Sequence, residues 1–68
     1  MPTKQEVEAR LRRLGAFYVA DMDDLHELWV TAWGHCVFVP LAGPNRTDLD
    51  EEDVLEIEGG IRASKPGP

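Results

Sequence analysis

The sequence predicts an α+β domain with the order α-β-β-β-α, its two helices packed on one face of a three-stranded antiparallel sheet. Three observations predict it. Apolar residues recur at helical spacing near the N-terminus. Three short runs rich in β-branched and aromatic residues follow, with turn residues between them. An acidic, cap-like segment then opens a last apolar stretch.

The first helix spans about residues 4–14. Thr3 is placed to cap it, with Glu6 three residues later as in a capping box. Val7, Leu11 and Leu14 form one apolar stripe. Glu6 to Arg10 and Glu8 to Arg12 are i,i+4 pairs in the favourable order, and the arginines suit the C-terminal end of the helix dipole. Gly15 falls where a helix-ending glycine belongs.

Ala16 to Ala20 reads as a strand, Asp21 to Asp24 as a polar turn, Leu25 to Thr31 as a second strand and His35 to Val39 as a third. Trp33-Gly34 forms the tip of the hairpin between them, the glycine supplying a positive φ. Pro40 ends the third strand. Side-chain alternation is read with Leu28, Val30, Val37 and Val39 toward the helices and with Trp29 and Phe38 on the open face. Leu41 to Arg46 is a loop by its turn residues.

Two structures compete for residues 54–63. Asp48 or Asp50 is able to cap a helix whose first turn holds Glu51, Glu52 and Asp53. The rival is a hairpin turning at Gly59-Gly60. The acids favour the helix. Residues 1–62 then make one compact domain and residues 63–68 a disordered tail.

Sixty-eight residues bury only about 60% of the surface an unfolded chain exposes, which favours a surface site over a deep active site. One cysteine, Cys36, excludes an internal disulfide and reads as a small core residue. Met1 to Glu6 leads directly into a polar helix pattern, and no apolar run approaches membrane-spanning length. The expected setting is the reducing cytoplasm, without membrane contact.

The net charge is −6, unevenly spread. Residues 1–20 carry a net +2, residues 21–40 a net −4 and residues 41–68 a net −4. Such a field repels phosphate and favours a basic partner. The expected contacts are Asp23, Asp24, Glu27, Asp48, Asp50, Glu51 and Glu52, with Trp29 and Trp33 as aromatic anchors.

No cofactor or metal is expected. His35 and Cys36 point to opposite strand faces, and no second Cys or His stands at zinc-site spacing. The run from Asp48 to Asp53 lacks the glycine and the glutamate of a calcium loop. Gly43 to Arg46 lacks the Lys-Ser/Thr end of a phosphate loop. His26, beside Glu27 and after Asp23-Asp24, is the one candidate general acid/base.

The element order resembles that of the HicA-type toxins, small mRNA-cleaving proteins of toxin–antitoxin pairs with a fold like that of double-stranded-RNA-binding domains. Leu14-Gly15 ends the first helix, His26-Glu27-Leu28-Trp29 opens a strand, Gly34 makes the turn and Val37-Phe38-Val39-Pro40 follows. The resemblance implies a catalytic role for His26. Asp24-Leu25 stands where those toxins carry Gly-Ser, and the last element is acidic where theirs is basic.

Two functions follow. The first is a small non-enzymatic protein that binds a basic protein surface, in its sharpest form a phage or mobile-element inhibitor mimicking nucleic acid. The second is a HicA-like endoribonuclease using His26, with Arg10, Arg12 and Arg13 as its phosphate contacts. Direct nucleic-acid binding ranks below protein binding, and homodimer formation stays open.

Overall fold

The computed structural model describes residues 2–41 and 49–67. The order is α1 (Lys4–Arg13), β1 (Ala16–Asp21), β2 (Glu27–Thr31), β3 (Cys36–Val39) and α2 (Glu51–Ser64). The strands form one antiparallel sheet in the order β1-β2-β3. This is the expected α+β arrangement. The expected loop lies, from residue 42 on, outside the described residues, and so does Asp48. No described helix is long and apolar enough to cross a membrane.

Thr3 caps α1 by accepting a hydrogen bond from the Glu6 N–H at 3.1 Å. Val7 and Leu11 are buried, and Leu14 packs at the edge of the same core. Gly15 follows at φ +92°, where a side chain would be strained. It also lies against the Trp33 ring, so a Cβ here would stand 3.1 Å from Trp33 Cζ3. Gly34 at φ +87° closes the β2–β3 hairpin, with Thr31 N–H donating to His35 O at 2.9 Å.

The sheet corrects the phase expected for β2. Trp29 is fully buried, while Leu28 and Val30 face the open side with Phe17, Cys36 and Phe38. Cys36 is therefore exposed rather than a core residue. The inward positions of β2 are Glu27, Trp29 and Thr31. Two of these are polar, which is why alternation pointed the other way. Each polar group is satisfied where it sits. Glu27 accepts from Trp29 Nε1 at 3.0 Å and meets Lys4 Nζ at 3.3 Å. Thr31 Oγ1 accepts from the His35 N–H at 2.9 Å. Trp29 packs beneath α1 in one core cluster with Val7 and Leu11. On β3 the expected phase holds, with Val39 buried and Phe38 exposed. β1 contains a bulge between Tyr18 and Ala20.

Residues 54–63 are helical, and α2 runs through Gly59-Gly60. Two interior glycines cost about 2 kcal/mol relative to alanine. Burial of Val54 and Ile61, at about 1.5–3 kcal/mol each, offsets that cost. Asp50 caps the helix by accepting from the Asp53 N–H at 2.9 Å. The helix also continues past the boundary expected at residue 62. Trp33 Nε1 donates to Ser64 Oγ at 3.0 Å, and Ser64 Oγ donates to Ile61 O at 2.7 Å. These bonds anchor the last turn to the β2–β3 hairpin.

Candidate interaction groove

His26 lies just before β2, half-exposed. Asp23 organises the turn that presents it. Its Oδ1 accepts from Leu25 N–H at 2.8 Å and from His26 N–H at 2.7 Å, and both carboxylate oxygens lie 3.3 Å from His26 Nδ1. The two backbone donors hold the Asp23 carboxyl below its ordinary value, with His26 adding to the effect. The pair has the geometry of an oriented histidine. Among the described residues no lysine or arginine forms a salt bridge with Asp23, and Lys4 is turned to the neighbouring Glu27. Arg13 leads through the Gly15 turn into Ala16, which pairs with Thr31 at the far end of β2 from His26.

Most of the N-terminal cations are engaged internally. Lys4 is paired with Glu27. Arg10 forks between the helices, giving Glu51 two bonds of 2.9 and 2.8 Å and reaching Glu58 through Nε at 3.3 Å. Glu51 and then Glu58 raise the Arg10 pKa further, so the guanidinium stays charged. Arg12 lies 5.7 Å over the centroid of Trp29.

The expected contact residues divide. Trp29 is buried in the core and cannot touch a partner. Glu27 is buried beside it. Asp23 holds a turn, Asp50 caps α2 and Glu51 binds Arg10. Trp33 is half-buried between Gly15 and Ser64, with Lys65 Nζ 5.9 Å from its ring centroid. Asp24 and Glu52 remain exposed.

The structure assembles a different surface. An open groove of about 600 Å³ runs between β3 and α2. Val37, Leu49, Ile57 and Ile61 line it with apolar surface, and Asp53 and Glu56 line its helix side. Gly60 lies between them, where a Cβ would meet nothing within 4 Å. A volume of that size lies in the range of ligand-binding clefts, about 300–1,000 Å³. Asp53, Glu56, Ile57 and Gly60 fall at i, i+3, i+4 and i+7, one helical stripe. That spacing was the available sequence signal, missed because Asp53 was read as a helix-starting residue and the contact was placed on Glu51 and Glu52.

Compared with known proteins, the chain matches no family model, no curated protein and no solved structure.

Proposed function

We propose that this chain is a small acidic interaction protein that docks a basic surface of another protein, without chemistry of its own. The observation that carries this reading is the pairing of charges. Among the described residues, Asp53 and Glu56 line an open apolar groove and make no salt bridge, while Lys4 and Arg10 are held by Glu27, Glu51 and Glu58. Among the described residues, the surplus charge at the groove is negative. Apolar surface provides the affinity, and the acids select a basic partner and steer its approach. An inhibitor that occupies a nucleic-acid-binding groove by mimicry is one form of this function.

The test is affinity capture on the immobilised chain from extracts of its native host, with elution by rising salt. The captured protein should be basic at its contact surface. Asp53→Lys with Glu56→Lys should abolish capture while the far-ultraviolet circular dichroism stays unchanged. Capture that survives the double change leaves the groove acids with a solubility role only.

One observation favours the second reading, a HicA-like ribonuclease: the half-exposed His26 with its Nδ1 against Asp23. A histidine oriented by a carboxylate suits general acid/base catalysis. RNA cleavage by the purified chain, lost in His26→Ala, would support it. Cleavage unchanged in that variant would remove this mechanism.

A further inference from the structure

The groove is bounded on one side by a strand edge. β3 is the terminal strand of the sheet, and among the described residues no strand pairs with its outer edge. The Thr31–His35 pair is hydrogen-bonded. Antiparallel pairs alternate, so Val37 and Val39 turn their polar groups to β2. Cys36 and Phe38 turn their N–H and C=O groups outward. The opposite sheet edge is blunted by the bulge in β1. β3, Cys-Val-Phe-Val, has no bulge, charge or proline before Pro40.

We propose that the outer edge of β3 accepts an antiparallel strand from a partner, an extended segment alternating basic and apolar residues. This rests on the acidic-docking reading above and specifies its mode. Residues of the added strand opposite Cys36 and Phe38 place their side chains on the open sheet face, where Phe38 is 58% exposed. Those residues are apolar. The alternate residues point to the α2 side. Lysine or arginine fits there, its aliphatic stem crossing Ile57 and Gly60 and its charge reaching Asp53 or Glu56. Charge complementarity selects this occupant over a second copy. An antiparallel two-fold pairing of β3 edges sets two acidic lips on the same side of the sheet, in chains of net charge −6.

The probe is an acetylated, amidated hexapeptide of alternating lysine and valine, with binding followed by amide exchange in NMR. The peptide should slow exchange at Cys36 and Phe38. In the antiparallel geometry the valine amides face β3, so methylating them should weaken binding at least about tenfold, the effect of losing more than one backbone hydrogen bond. Methylating the lysine amides should leave binding unchanged. Gly60→Leu, whose Cβ meets nothing within 4 Å in the free chain, should block the peptide without unfolding the protein.

If binding is lost in Asp53→Lys with Glu56→Lys but indifferent to valine methylation and to Gly60→Leu, acidic docking stands and strand addition falls. A hexapeptide that does not bind also overturns strand addition. Captured basic proteins then judge acidic docking separately. Slow exchange at Cys36 and Phe38 in the free monomer means the edge is covered within the molecule and refutes the proposal. Protection that rises with chain concentration, with a dimer in sedimentation, assigns the edge to a second copy and overturns the basic segment.

Discussion

Replacing Trp29 with alanine tests the phase of the whole sheet. Trp29 is 0% exposed and is the largest fully buried side chain. Its ring lies beneath Arg12, meets Tyr18 edge-on at 6.0 Å and donates to Glu27. Truncating a buried tryptophan costs about 3–5 kcal/mol. A domain of 68 residues has a total stability of about 3–10 kcal/mol, at the usual 0.05–0.15 kcal/mol per residue. The substitution therefore removes a third to all of the stability. At about 4–8 °C per kcal/mol for a domain this size, the melting temperature falls by at least about 12 °C. Thermal melts and urea titrations followed by circular dichroism measure it. Phe38→Ala, on the open face, is the control and should stay within about 0.5 kcal/mol of the parent. Trp29→Ala melting within a few degrees of the parent, together with collapse of Phe38→Ala, would refute the inward placement of Trp29.

Two glycines should respond in opposite directions. Gly60→Ala should raise stability by about 1 kcal/mol, since its Cβ meets open space and alanine is the better helix former. Gly15→Ala should lower it by at least about 1 kcal/mol, because φ is positive there and Trp33 is in the way; urea titrations read both. The chain should lose stability in acid. Arg10 holds the Glu51 carboxyl below its ordinary 4.5, and backbone donors hold Asp23 below its ordinary 3.8. Both contributions are present above those ordinary values and are lost as pH falls through the lower folded ones. Arg10→Met should shrink the Glu51 part of this loss in melts taken across the acid range. The single tyrosine, Tyr18, should ionise above its ordinary 10.0, because its hydroxyl donates to Asp21 at 2.9 Å. Ultraviolet absorbance follows that titration, and Asp21→Ala should move it back down.

Local chemistry carried much of the fold in this chain. Thr3, the Val7–Leu11–Leu14 stripe and Gly15 define α1 through contacts within a few residues of one another. Gly34 does the same for the β2–β3 hairpin, and Asp50 for the start of α2. These signals are legible because donor, acceptor and backbone angle all lie in one short segment, and together they determined the element order. The phase of β2 is a different kind of fact. Alternation allows two faces, and the choice turned on Lys4 reaching Glu27 and on Trp29 packing beneath α1 with Val7 and Leu11. The helix through Gly59-Gly60 was likewise settled by partners far along the chain, Arg10 on Glu58 and Trp33 on Ser64. The sequence alone determined that the chain is acidic and unevenly charged. Only the tertiary structure decided which acids are structural, as Glu27, Glu51 and Glu58 are, and which, Asp53 and Glu56, stand beside an open groove. A carboxylate's role depends on the cation or donor within a few ångströms of it, and packing brings those neighbours from distant elements.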